Sequence, residues 1–95
     1  MSGEGPARVA RRLVVHGRVQ GVNFRSWVRE RAESREVAGW AENRRDGSVE
    51  VWLEGATADV AAVERAVREG PGHASVDAVD FADEAPRGLG GFERR

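Results

Sequence analysis

Gly17 and Gly21 bracket the stretch Gly17-Arg18-Val19-Gln20-Gly21-Val22, and Arg25 follows closely behind it. A loop with glycine near both ends can turn several backbone N–H groups to one side, which makes a cradle for an anion. The apolar spacing that opens with Phe24 predicts a helix beginning near Asn23. The unpaired N–H groups and positive dipole end of such a helix would add to the cradle. Arg25 falls in its first turn, and helical side chains lean toward the N-terminus. Its guanidinium would then reach back over the loop with a planar fork that matches phosphate. Spacing alone divides Arg25 evenly between that role and a solvated surface arginine.

Composition removes competing chemistries. The 95 residues carry 15 basic and 16 acidic side chains, a net charge of −1, which argues against a general nucleic-acid or anionic-membrane binder. All the basic residues are arginine, so a lysine-dependent phosphate loop and Schiff-base chemistry are both out of reach. With no cysteine there is no disulfide framework, thiolate nucleophile or sulfur-bound metal. No apolar run approaches the roughly 18 residues of a membrane span. The opening Met1-Ser2-Gly3-Glu4-Gly5-Pro6 lacks the apolar centre of a secretory signal. The expectation is a cytoplasmic chain with a loose tail at residues 1–7 and one domain at residues 8–95.

The elements that must position the loop are legible from periodicity. Arg8 to His16 reads as a strand rich in β-branched residues, with Leu13 and Val15 on one face. Phe24, Trp27, Val28 and Ala32 recur at helical spacing, and Ser34 to Glu36 mark the helix end. Val37 to Asn43 forms a second strand, and Asp46-Gly47 signals a hairpin. From Ser48 to Glu54 the alternation is clean, with Val49, Val51 and Leu53 inward and Glu50, Trp52 and Glu54 outward. Thr57 is read as the N-cap of a second helix buried along Val60, Val63, Ala66 and Val67, which Gly70-Pro71-Gly72 stops. Val76 to Phe81 gives a fourth strand, and Phe92 can pin a short closing one. The order βαββαβ predicts an α+β, ferredoxin-like sandwich, an antiparallel sheet with two helices on one face and the other face partly open.

At this point two stretches become recognisable. Val15-His16-Gly17-Arg18-Val19-Gln20-Gly21-Val22-Asn23-Phe24-Arg25 resembles the first signature of the acylphosphatase family. Gly39-Trp40-Ala41-Glu42-Asn43, followed by Gly47-Ser48-Val49 and Gly55, resembles the second. The likeness spans roughly residues 8 to 82. It implies a small hydrolase of acyl phosphates, including carbamoyl phosphate, that needs no metal and no cofactor. It further implies that main-chain N–H groups of Gly17, Arg18, Val19, Gln20, Gly21 and Val22 bind phosphate. Arg25 would complete that site, and Asn43 would position the attacking water. Inorganic phosphate or sulfate is the expected site ligand, and the chain is expected to work as a monomer.

So sparse a site suits the chemistry. Phosphoryl transfer passes through a loose transition state, so positioning and charge stabilisation do most of the catalysis. The carboxylate leaves without a strong acid. An amide such as Asn43 is no base at neutral pH, but it can accept a hydrogen bond from water and fix its approach.

The remaining polar residues read as structural. His16 has no partner placed by spacing and is given a structural or substrate-entrance role. His73 is expected at the surface, and two histidines without ligand spacing make no metal site. Ser26 and Ser48 suit capping or turn duty, and Gln20 is expected to tie the loop down. Trp27 is read as core and Trp40 as packing under Asn43. Three departures from the family pattern stand out: Glu42 before the asparagine, Val37-Ala38 before the Gly-Trp pair, and the short charged ending Phe92-Glu93-Arg94-Arg95. Two rival functions remain: a module that binds a phosphorylated metabolite without turnover, and RNA recognition. The second is disfavoured because Trp52 lies between two acids.

Overall fold

The computed structural model describes residues 7–95. The expected tail at 1–7 lies outside them except for Ala7, whose carbonyl oxygen accepts the Thr57 N–H at 3.3 Å. The elements run β1 (Arg8–Arg18), α1 (Phe24–Glu33), β2 (Ala38–Asn43), β3 (Val49–Ala56), α2 (Thr57–Glu69), β4 (Ser75–Glu84) and β5 (Phe92–Arg94). The strand order across the sheet is β4-β1-β3-β2-β5.

Alternation decides which side chains meet the helices. Leu13, Val15, Val49, Val51 and Leu53 form one buried layer with Phe24, Val28 and Ala32 of α1 and Val60, Val63 and Val67 of α2. Burying each of these Leu, Val and Phe side chains contributes about 1.5–3 kcal/mol. The helix stripes therefore fall on the residues that the spacing picks out, while Trp27 and Ala66 remain half-buried.

Four features differ from the sequence expectation. The sheet is mixed, because β5 pairs with β2 in parallel, Phe92 opposite Gly39 and Arg94 opposite Ala41. The cause is the route of the chain: β4 ends at one sheet edge and β5 docks at the other, so the connecting residues must cross the sheet and turn. Thr57 is the first residue of α2 rather than its cap, and Ala56 holds the cap position with no side-chain hydrogen bond. β1 runs on to Arg18, through a bulge between His16 and Gly17 that keeps its pairing with β4.

The fourth difference concerns the face without helices. Trp52 and Glu54 do point away from the helices, yet Trp52 is 1% exposed and Glu54 0%. The crossing segment covers them. Leu89 packs on a second small core of Ala10, Trp40 and Trp52, with the two indoles stacked at 5.0 Å. The Arg87 guanidinium lies 4.2 Å above Trp52. Trp40 consequently sits on the opposite sheet face from Asn43 and does not pack beneath it.

Glu54 fastens the segment. Its carboxylate accepts the N–H groups of Arg87, Gly88 and Leu89 at 2.8, 2.7 and 2.9 Å. It also accepts the Trp52 indole N–H at 3.0 Å and two Arg8 donors at 3.2 and 3.1 Å. Burial pushes this carboxyl group up, but hydrogen bonds from the Arg87 N–H, the Trp52 indole and the Leu89 and Gly88 N–H groups outweigh it and hold the group at about 2. A carboxyl depressed in the folded state contributes stability that is complete above its unfolded value and lost as pH falls toward the folded one. Acid titration of wild type should therefore show a loss of roughly 2–3 kcal/mol between about pH 4.5 and 2 that Glu54→Gln lacks. Chemical denaturation at several pH values checks it, and parallel curves for the two proteins would remove Glu54 as the cause.

Candidate active site

The junction of β1 and α1 is shaped by three residues with positive φ. Gly17 has φ 129°, Gly21 φ 76° and Asn23 φ 63°. Gly17 is required by sterics as well: a Cβ there would lie 2.1 Å from the Ser75 carbonyl oxygen across the bulge. Gly17 and Arg18 thus belong to the paired end of β1, and the free loop proper begins at Val19. Val19 is 1% exposed and anchors the loop in the core, with Val22 packed against the same layer. Arg18, Gly21 and Asn23 are exposed.

α1 starts without a side-chain cap and without an acidic residue in its first turn. Its leading N–H groups are thus left to whatever anion approaches, and the dipole end carries no competing carboxylate. Arg25 stands in that turn, half-buried, and its Nη1 donates to the main-chain oxygen of Arg95.

Two tethers bind this junction to the end of β2. The Gln20 amide donates both hydrogens, one to the Arg44 carbonyl at 2.7 Å and one to the Ser48 carbonyl at 2.9 Å. It therefore clamps the loop to the hairpin that follows Asn43. The second tether runs through Arg95, whose oxygen takes the Arg25 bond while its N–H donates to the Ala41 carbonyl at 2.8 Å. Asn43 follows Ala41 by two residues, so it lies on the same sheet face, the face that α1 covers. Among the described residues the Asn43 amide enters no hydrogen bond, and none joins it directly to Arg25. Glu42 alternates to the other face, opposite Glu50 in register.

The hairpin between β2 and β3 is itself held by Asp46, which accepts the Ser48 N–H at 2.9 Å and the Ser48 hydroxyl at 2.6 Å. Those Ser48 bonds, with the Arg44 and His16 charges behind them, lower the Asp46 carboxyl below its usual range. Ser48 is on turn duty. His16 does have a partner that spacing did not disclose: its Nε2 lies 3.0 Å from Asp80 on β4, on the face away from Arg25.

His73 also holds more than a surface position. Its Nε2 lies 2.9 Å from the Val22 carbonyl and pins the far side of the loop. Neither this contact nor the Arg95 oxygen at Arg25 is legible in the sequence. A Gly-Pro-Gly-His turn carries no local sign of what it reaches 51 residues away, and a backbone oxygen leaves no trace in residue type. Among the described residues no group of three or more histidine or acidic side chains is placed to hold a metal ion.

Residues 11–94 match the acylphosphatase family. The chain belongs to it. Among curated acylphosphatases, one from Azorhizobium caulinodans is 45% identical over 80 residues, covering 82% of this chain and 86% of its own. One from Pseudomonas aeruginosa is 44% identical over 86 residues, covering 90% and 94%. The crystal structure of acylphosphatase from Bacillus subtilis superposes with a TM-score of 0.88 at 34% identity, covering 92% of this chain and 98% of that one. The acylphosphatase assignment makes this chain an enzyme of acyl phosphate hydrolysis with a ferredoxin-like α+β fold. No helix among the described residues is long and apolar enough to cross a membrane.

Proposed function

We propose that the chain hydrolyses the carboxyl–phosphate bond of small acyl phosphates without a metal, Arg25 and the loop N–H groups holding phosphate and Asn43 directing water. The observation that carries this reading is the pair of tethers, Gln20 to the hairpin and Arg25 through Arg95 to β2. They bring an uncapped helix start, a glycine loop and an asparagine with an uncommitted amide to one end of one sheet face.

The reaction then follows from what each group can do. Backbone N–H groups and the guanidinium fork surround the phosphoryl oxygens, where negative charge is concentrated throughout a loose transfer. Asn43 accepts a hydrogen bond from water on the side opposite the leaving carboxylate, which fixes in-line attack. The P–O bond to the carboxylate breaks as water bonds to phosphorus. The water proton passes to a phosphoryl oxygen, since no base of suitable strength is assigned to the site. The products are a carboxylate and inorganic phosphate. The enzyme acts as a cytoplasmic monomer on a substrate recognised chiefly by its phosphate, with no nucleic acid or membrane partner.

The test is release of inorganic phosphate from an aryl acyl phosphate, with and without EDTA. Turnover that EDTA leaves intact supports the metal-free reading, and turnover that EDTA abolishes overturns it. Phosphate binding without turnover in either condition would make the chain a phospho-ligand module instead.

A further inference from the structure

Glu54 is fully buried and accepts six hydrogen bonds, yet the reaction does not use it. It lies at the end of the sheet remote from Asn43, opposite Ala38 and Ala10 in register. From its anchor the chain passes through Leu89 to Gly91, whose carbonyl accepts the Gly39 N–H at 2.9 Å, and enters β5. β5 runs parallel to β2 for only three residues before Arg95 meets Arg25. So short a strand cannot fix its own register firmly, and a slip of two residues, the smallest that keeps Phe92 inward, would carry the Arg95 oxygen about 6.6 Å along β2. Phe92, buried against α1, selects the face that β5 presents. Upstream of Phe92 the chain is held by the three N–H groups that Glu54 accepts.

We infer that Glu54 is a positioning residue for Arg25: by anchoring residues 87–89 it sets β5, and thereby the Arg95 oxygen that preorients the guanidinium. This rests on the phosphate role of Arg25 proposed above. Arg8 supports the same anchor, because its Nη2 bonds both Glu54 and the Leu89 carbonyl, the latter at 2.7 Å. With the anchor loosened, Arg25 samples other orientations, and substrate must select the competent one. A lower competent fraction weakens binding in proportion while leaving the bound complex unchanged. KM and the inhibition constant for inorganic phosphate therefore rise together while kcat holds.

The experiment compares wild type, Glu54→Gln, Arg25→Ala and the double variant, each shown folded by near-ultraviolet circular dichroism. Glu54→Gln should raise KM and the phosphate inhibition constant by about 3–10-fold with kcat within about twofold. In the Arg25→Ala background the same change should leave phosphate binding untouched. A folded Glu54→Gln protein with wild-type constants overturns the inference, as does an equal loss in both backgrounds. Arg25→Ala binding phosphate like wild type would instead defeat the assigned role of Arg25, a distinct result that takes this inference with it. Should Glu54→Gln fail to fold, Arg8→Ala, at a half-exposed side chain, supplies the measurement with a smaller rise of the same pattern.

Discussion

Arg25→Ala is expected to lower turnover of an acyl phosphate by about 10²-fold or more, the usual cost of removing one preorganised donor from a transition state. The expectation is large because this chain has few alternatives. It contains no lysine, and Arg18, the neighbouring cation, lies at the exposed end of β1. Arg25 is half-buried against the helix start, where its Nη1 donates to the main-chain oxygen of Arg95. Arg25→Lys should recover only part of the loss, since an ammonium ion supplies one charge but not two parallel donors. Steady-state kinetics with inorganic phosphate as competitive inhibitor distinguishes the effects. Loss of kcat/KM together with weaker phosphate inhibition is the expected pattern. Full activity in either variant would return Arg25 to the solvated-surface reading that spacing alone leaves open.

The β1–α1 junction was readable from the sequence because its information is local. Glycine at 17 and 21 reports positive φ, Phe24, Val28 and Ala32 report the helix face, and Arg25 falls in the first turn by counting. The alternation in β3 was equally local and correct in sense: Glu50, Trp52 and Glu54 do oppose Val49, Val51 and Leu53. Alternation tells which face a side chain takes, however, and not what lies above that face. Trp52 and Glu54 are buried by residues more than thirty positions away, and Arg87-Gly88-Leu89 gives no periodic signal of where it lands. The same limit hid the parallel pairing of β5. Three residues ending in Arg94 are too few to show a strand pattern, and their direction is set by the crossing from the opposite sheet edge. The charged ending therefore does form the last strand. At the site, resemblance to the acylphosphatases singles out Arg25 and Asn43, whereas the Gln20 and Arg95 tethers that bring their elements together are visible only in the fold.

Asn43→Ala should separate positioning from binding. Asn43 ends β2, exposed, with the Gln20 clamp on the next residue's carbonyl, so truncation removes the amide without disturbing the buried Ala41 or Val49 beside it. The proposed phosphate cradle remains, and inhibition by inorganic phosphate should change by less than about threefold if ground-state binding is separate from water orientation. kcat should fall about 10²-fold, the scale on which misplacing a reacting group acts. Asn43→Asp refines the test. A carboxylate could serve as a base, and if deprotonation of water limited the rate it would raise activity or add an acidic limb to the pH profile. If geometry limits the rate, the added negative charge faces an anionic substrate, and the variant should be as poor as alanine or worse. The second outcome is expected, because in the proposed role the asparagine offers water an acceptor without a charge. That is the feature an acyl phosphate, itself a dianion near neutrality, requires of any group on the attacking side.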